Sequence, residues 1–377
     1  MTQTAPPTPE REAATAGSRA RLYRSARTAH LERAAELPPA LLLFEKRRYD
    51  FDQALADRVG AVEAGTFESA RILGRSGVTT LEVNEPSAVE GARRTAVALA
   101  WLRLRGLARL GRRPRVVAYA IGNSSPFVPA AGGTLRSRWS LRLDYALARY
   151  VWRECDRIAF GTTDARDAYE EAFGRHPRPL ETAVIPALPV ACPCVPEADV
   201  RGPRVVFLGA FTARKGFPSL VEAWPRVRAA RPDAELVLLG KGDLEPLAHE
   251  LAADESVRLV LDPAREIIHA ELRQAAVITL PSRRAGRWRE QVGLPIVEGL
   301  AHGCTVVTTD ETGLATWLAA HGHHVLPEDV SREDLAAALL TALDDGRPAA
   351  EVRSQLPATD GRLAADAWMF GDASAAR

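Results

Sequence analysis

Five short apolar runs in the second half of the chain, Arg204–Leu208, Glu235–Leu239, Val257–Leu261, Val277–Leu280 and Thr305–Thr308, alternate with stretches of helical periodicity such as Phe217–Ala230 and Leu244–Ala253. This alternation constrains the fold more than any other feature. A strand followed by a helix and another strand at this spacing builds parallel strands with crossover helices. Each run is apolar on both faces, as a sheet covered by helices on both sides requires. The first half repeats the pattern more loosely, with strands expected at Ala40–Phe44, Thr79–Val83, Arg115–Ile121, Arg157–Gly161 and Ala183–Pro186.

Between the halves, Ala187 to Pro203 is rich in proline and has no helical period, which marks a domain boundary. The expected organisation is α/β. It has a disordered or accessory segment over residues 1–36, with disorder to about 17 and an accessory helix over 18–36. A Rossmann-like domain over 37–190 and a second over 200–350 follow, facing each other across a cleft, and 351–377 forms a tail.

Composition excludes several classes. At 377 residues with 46% hydrophobic and 26% charged residues, the chain has the composition of a globular protein, and its net charge of +1 gives no reason to expect a nucleic-acid partner. No run reaches the roughly 18–20 apolar residues of a membrane span, and the N-terminus is not a signal peptide. The four cysteines, Cys155, Cys192, Cys194 and Cys304, form neither a disulfide framework nor a zinc spacing. Cys192-Pro193-Cys194 reads as part of a linker, no metal site or cofactor is expected, and a cytoplasmic setting fits. Lysine occurs three times, at Lys46, Lys215 and Lys241, against 46 arginines, so each lysine invites a reason.

In an open parallel sheet, ligands bind beyond the carboxyl ends of the strands. Three loops of the second half leave such ends. Gly209-Ala210-Phe211-Thr212-Ala213-Arg214-Lys215-Gly216 precedes a helix, whose amides and dipole favour an anion beside Lys215. An ordinary solvated lysine is the competing reading. Gly240-Lys241-Gly242 would permit a close backbone approach, although a plain turn explains it equally well. There is no Gly-x-Gly-x-x-Gly followed by an acidic residue, which argues against a nicotinamide dehydrogenase. The third loop carries Glu290 and Glu298, eight positions apart, around Gly293-Leu294-Pro295. Proline suits a first helical position, so the amides of Val292, Gly293 and Leu294 would be donors for phosphate and sugar hydroxyls. Glu290 would reach a hydroxyl before the helix, and Glu298, one turn in, the hydroxyls of a ribose.

With Pro281-Ser282 and the run E-Q-V-G-L-P-I-V-E-G-L-A-H-G-C-T-V-V-T-T-D-E-T-G, residues 204–345 resemble the retaining glycosyltransferases of family 4, which have the GT-B fold. Over 37–200 the likeness is one of layout. The resemblance implies a sugar-nucleotide-dependent hexosyltransferase. Lys215, with Arg214, would neutralise the donor diphosphate at the Gly209 loop. Glu290 and the Val292–Leu294 amides would hold the transferred sugar, and Glu298 the nucleotide ribose. Lys215 and Glu290 are the residues assigned to catalysis.

Three departures accompany it. Ala210 stands where the family often has arginine. The loop from Pro281-Ser282 to Glu290 is long and carries Arg283, Arg284, Arg287 and Arg289. No histidine occurs between His30 and His176, where many relatives place one at a strand end of the first domain. The chemistry is expected to need neither metal nor carboxylate base: the departing phosphate takes the acceptor proton on the same face, giving retention. Two alternatives share the fold, a sugar-nucleotide epimerase and a non-catalytic binding partner.

Acceptor candidates are Asn84-Glu85 and Asn123-Ser124 at strand ends of the first domain, where turn formation is an equal explanation. The acceptor would be a glycan, a lipid-linked sugar or a small molecule. Residues 88–153 hold 13 arginines against Glu90 and Asp144, an excess of +11. Such a region could dock peripherally on an anionic membrane, at the inner face of the plasma membrane, although arginines on solvated helix faces would look the same.

Overall fold

The computed structural model describes residues 18–108, 113–125, 127, 135–194, 201–286 and 288–371. The disorder expected for residues 1–17 and the residue Arg287 lie outside the described residues. The chain divides into two compact units. One contains the residues up to Gly161, Arg166–Ile185 and those from Arg362 onward; the other contains Thr162–Ala165 and Pro186–Gly361.

The first unit is built on strands β1 (Arg19–Ala26), β2 (Leu41–Arg47), β3 (Ala61–Glu63), β4 (Thr80–Val83), β5 (Arg115–Ala120), β6 (Arg157–Phe160) and β7 (Glu181–Val184). They form one parallel sheet in the order β3-β2-β1-β4-β5-β6-β7. Residues 18–36 are therefore not an accessory helix. Arg19–Ala26 is a central strand in register with β2 and β4, and only Thr28–Glu36 is helical. Arg19, Arg21 and Arg24 disguise it by breaking the apolar pattern. Arg21 is 2% exposed, and its guanidinium donates to Glu82 Oε2 of β4 at 3.1 Å, Asp366 Oδ1 at 2.7 Å and the Pro38 carbonyl at 3.1 Å. A buried guanidinium is tolerated only when its charge and donors are met this completely.

Asp366 belongs to a helix, Gly361–Phe370, in the segment expected to be a tail. Ala365, Met369 and Phe370 of this helix pack on Val117 of β5 and Ala159 of β6. Arg362 pairs with Glu82, and Arg157 donates to the carbonyls of Trp368 and Gly371, each at 2.8 Å. The C-terminal end of the chain thus completes the core of the unit that its N-terminal strand begins.

The second unit carries β8 (Arg204–Leu208), β9 (Glu235–Gly240), β10 (Val257–Leu261), β11 (Val277–Leu280), β12 (Thr305–Thr309) and β13 (His324–Leu326) in the order β10-β9-β8-β11-β12-β13, again all parallel. The first five lie within one residue of their expected bounds. β13, with only three partly buried residues, was not expected. The order reverses direction at β8: β9 and β10 lie on one side, β11 to β13 on the other. Open sheets of this kind take their ligands beyond the strand ends at such a reversal.

Replacing Arg21 by alanine would leave Glu82 and Asp366 buried without their shared counter-charge. The expected loss is about 3–5 kcal/mol of stability, read as a lowered denaturation midpoint of the first unit.

Candidate functional site

Both loops that leave the reversal point are rigidly built. After β8, Gly209 turns with φ 145° and Phe211 plugs inward, fully buried and stacked on Phe217 with ring centroids 4.7 Å apart. Gly240 and Gly242 belong to the neighbouring loop, and their missing side chains serve this packing. A Cβ at Gly240 would lie 1.9 Å from the Gly209 carbonyl oxygen, and one at Gly242 2.6 Å from that of Phe211. The close approach foreseen for a ligand is occupied by protein backbone. Lys241 between them pairs with exposed Asp262 at 2.9 Å.

The loop after β8 ends in a turn at Ala213–Lys215, closed by Gly216 with φ 70°. A Cβ at Gly216 would stand 1.8 Å from the Pro281 carbonyl oxygen, so the position excludes any side chain. This contact presses the turn against the start of the loop that follows β11. Arg283 donates its amide to the Arg214 carbonyl at 2.9 Å, which fastens the two loops together.

Lys215 and Glu290, 75 positions apart, form an ion pair through Nζ and Oε2, with side chains 12% and 10% exposed. Ser282 Oγ donates to the same carboxylate oxygen at 3.1 Å. Trp288 faces both cations, its ring centroid 4.5 Å from Arg214 Cζ and 5.2 Å from Lys215 Nζ. The indole face attracts positive charge, so it keeps two cations side by side that would otherwise repel. Sequence reasoning did not select Trp288; its signal was an aromatic residue inside an arginine-rich loop.

The arginine loop has an internal explanation. Glu311, 3% exposed, accepts from Arg284 Nη2 at 3.0 Å and Arg289 Nε at 3.1 Å. Arg283 donates to the Val330 carbonyl at 3.2 Å. These bonds fold the loop back over its own unit. Glu290 is further fixed by a parallel bridge to Thr312, whose hydroxyl donates to the Val292 carbonyl at 3.0 Å.

The helix Leu294–Ala301 starts after Gly293, which has φ 80°, and Pro295 occupies its second position rather than its first. The first amides of a helix have no acceptor within it, so Gly293 and Leu294 present donors beside Gly209. A Cβ at Gly209 would meet only Leu280 at 3.8 Å and Pro295 at 4.0 Å, which leaves open space between the loop and the helix start. Glu298 follows one turn later, and burial raises its carboxyl above the usual range, with Arg265 partly opposing the shift.

In the first unit the acceptor candidates hold backbone. Asn84 Oδ1 accepts from the Arg24 amide at 2.7 Å, tying the ends of β4 and β1. Glu85 accepts from the Ile121 and Gly122 amides at 3.0 and 2.9 Å and from Tyr169 at 3.3 Å, and burial raises its carboxyl. Asn123, 3% exposed, and Ser124 follow on that anchored turn.

Residues 202–345, the part of the chain that carries this site, match the family model described as Glycosyl transferases group 1. The chain is 26% identical over 211 residues to the GDP-mannose-dependent monoacylated alpha-(1-6)-phosphatidylinositol monomannoside mannosyltransferase of Corynebacterium glutamicum, covering 52% of this chain and 55% of that protein. It is 29% identical over 184 residues to the phosphatidyl-myo-inositol mannosyltransferase of Mycolicibacterium smegmatis, covering 48% and 46%. Over residues 202–345 the chain is thus similar to the group 1 glycosyltransferases. It spans about half the length of these curated relatives. Among solved structures, Anabaena Alr3699/HepE in complex with UDP is similar with a TM-score of 0.62 and 13% identity, over 93% of this chain and 95% of that one. WaaG, a glycosyltransferase involved in lipopolysaccharide biosynthesis, gives 0.56 and 16%, over 94% and 100%. Likeness at such identity concerns the fold, which is GT-B with two Rossmann-like parallel-sheet units.

The raised carboxyl of Glu298 carries a stability consequence. Between its ordinary and its raised titration range the folded chain binds more protons than the unfolded one, so ionising Glu298 at neutral pH destabilises the fold. Glu298→Gln is expected to raise the thermal midpoint at pH 7, with the gain vanishing below the ordinary carboxylate range. Thermal scans across pH check this.

Proposed function

We propose that the chain is a retaining glycosyltransferase that moves a hexose from a nucleoside-diphosphate sugar to a glycan or lipid-linked acceptor. The observation that carries this reading is the meeting of Lys215, Arg214 and Glu290 at the reversal point of the second sheet, beside an open Gly209 and a helix start.

The Lys215–Glu290 pair gives each residue a partner before substrate arrives. A donor diphosphate lying between Gly209 and the helix start would compete for the Lys215 ammonium, and a sugar hydroxyl would take up the Glu290 carboxylate. As the anomeric C–O bond breaks, its electron pair moves to the diphosphate oxygen. Lys215, Arg214 and the helix amides stabilise that growing negative charge in place of a divalent metal. The acceptor hydroxyl attacks from the same face and its proton passes to the departing phosphate oxygen. Glu298 orients the nucleotide through the ribose.

GDP-mannose is the first donor to try, because the names of the curated relatives specify it or a mannosyl transfer. Incubation with GDP-mannose and a panel of uridine-diphosphate sugars is expected to release the nucleoside diphosphate without added Mg²⁺ or Mn²⁺. Lys215→Ala should lower kcat by about 10²–10³-fold, the range for loss of a preorganised charge-stabilising donor. Glu298→Ala should weaken donor binding with a smaller effect on kcat. Unchanged kcat and donor affinity in both variants would remove the basis of the assignment.

We also propose a peripheral membrane contact through the basic region. Its helices Val89–Leu107 and Leu135–Glu154 expose Trp101, Leu104 and Leu107 on one and Trp139 and Leu143 on the other. Some of the region's arginines are held internally: Arg94 donates to Ser69 at 2.6 Å, and Arg103 and Arg113 pair with Glu154. The combination of exposed aromatic and aliphatic side chains with basic residues suits an anionic interface. Replacing Leu107 and Trp139 by serine should reduce co-sedimentation with phosphatidylglycerol vesicles by several-fold while sparing nucleotide binding. Among the described residues no helix is long and apolar enough to cross a membrane.

A further inference from the structure

The linker read as having no chemistry lies against the far end of the Glu298 helix. Cys192 donates its amide to the Ala301 carbonyl at 2.8 Å, and Arg201 donates to the His302 carbonyl at 2.5 Å and the Ala275 carbonyl at 2.6 Å. These bonds carry Cys192 and Cys194 to His269, on the helix Arg265–Gln274, and to His302. One ligand atom from each of the four side chains lies within 4.8 Å of the others. In the structure the two sulfurs are joined as a disulfide with Cα atoms 5.3 Å apart.

Two sulfurs and two imidazoles converging from three separate segments match the S₂N₂ donor set that selects tetrahedral zinc. With zinc–sulfur bonds of about 2.3 Å and zinc–nitrogen bonds of about 2.0–2.1 Å, tetrahedral ligand atoms stand roughly 3.3–3.8 Å apart, so the sulfurs separate once the disulfide opens, the two ring nitrogens, 2.9 Å apart, move slightly apart, and pairs near the 4.8 Å limit draw in. The imidazole of His302 is already oriented. Its Nδ1 lies 2.7 Å from the Glu298 carbonyl oxygen, and a carbonyl only accepts, so the proton is on Nδ1 and the lone pair on Nε2. Nε2 faces His269 Nδ1 at 2.9 Å. A ligating histidine held through its other nitrogen by a backbone carbonyl is the arrangement that fixes tautomer and ring direction at metal sites. Charge also balances: a divalent ion with two thiolates and two neutral rings has no net charge, which suits a half-buried position near Arg201 and Arg273.

We propose that Cys192, Cys194, His269 and His302 form a tetrahedral Zn²⁺ site in the reduced chain, fastening the linker to the end of the helix that carries Glu298. A dithiol reductant opens the disulfide by supplying two electrons and two protons, and leaves as its own disulfide. Zinc then displaces the two thiol protons, while His269 takes the Nε2–H tautomer and neither ring loses a proton overall. Oxidation reverses the sequence and releases the metal. The C-x-C spacing is tighter than the C-x₂₋₄-C of common zinc modules, and the two histidines lie far away in sequence, so spacing alone gave no sign of the site.

The test uses the full chain, prepared with a dithiol reductant and dialysed against metal-free buffer containing it. Elemental analysis after addition and removal of excess Zn²⁺ should find about one zinc per chain. Co²⁺ should give intense tetrahedral d–d bands with a sulfur-to-metal charge-transfer band. His269→Ala and the Cys192→Ser/Cys194→Ser double variant should bind zinc at least about tenfold more weakly, with far-UV circular dichroism unchanged. Should a variant fail to fold, the wild-type cobalt spectrum decides. Zinc retention in the reduced wild type no greater than in the double variant, or a cobalt spectrum without sulfur ligation, overturns the site. So does failure of Cys192 and Cys194 to be alkylated in the reduced, metal-free chain, where neither disulfide nor zinc should protect them.

Discussion

The pairing of β8 with β11 is the constraint on which the site depends. These strands lie about 70 residues apart in the chain, yet Val277, Ile278 and Thr279 are in parallel register with Val205, Val206 and Phe207. Parallel pairing brings both carboxyl ends to the same edge, so the loops that leave them must share one space. The Gly216–Pro281 contact and the Arg283–Arg214 hydrogen bond then fix how closely those loops approach. Lys215 and Glu290 meet as a consequence. Their ion pair is an effect of sheet topology, and the reactivity assigned to it inherits the rigidity of the sheet.

Charge burial plays two different parts in the molecule. In the first unit Arg21, Glu82, Asp366 and Arg362 form a closed network across β1, β4 and the last helix. Removing one member strands the others, so the network makes the N-terminal strand and the C-terminal helix interdependent. In the second unit Glu311 gathers Arg284 and Arg289 and thereby shapes the loop that presents Trp288 and Glu290. The same interaction closes a core in one place and shapes a loop in the other. Glu298 differs from both: burial raises its carboxyl and Arg265 opposes the shift only in part.

The legible parts of the fold were those with local signals. β8, β10 and β11 are short runs dominated by Val, Leu, Ile and Phe, and the Phe217–Ala230 helix has a clean period, so each appeared with its bounds. β1 was lost because its arginines find partners as far as 61 and 345 residues away, where no window of sequence can look. The last helix was lost for the complementary reason, since its apolar face is defined by strands β5 and β6, far earlier in the chain. Asn84 and Glu85 were visible as polar residues at a strand end, but their occupation by the Arg24, Ile121 and Gly122 amides was not.

By itself, then, the sequence determined the strand–helix alternation and the Glu290–Glu298 segment around Gly-Leu-Pro, because apolar period and helix-start chemistry are written in consecutive residues. It also carried the likeness to a glycosyltransferase family. Only the tertiary structure decided which cations stand beside Glu290, that Trp288 holds them together, why the arginine loop exists, and that a two-cysteine linker reaches two histidines. Each of those facts is a meeting of groups far apart in the chain, created when parallel strands align their ends and buried charges find their partners.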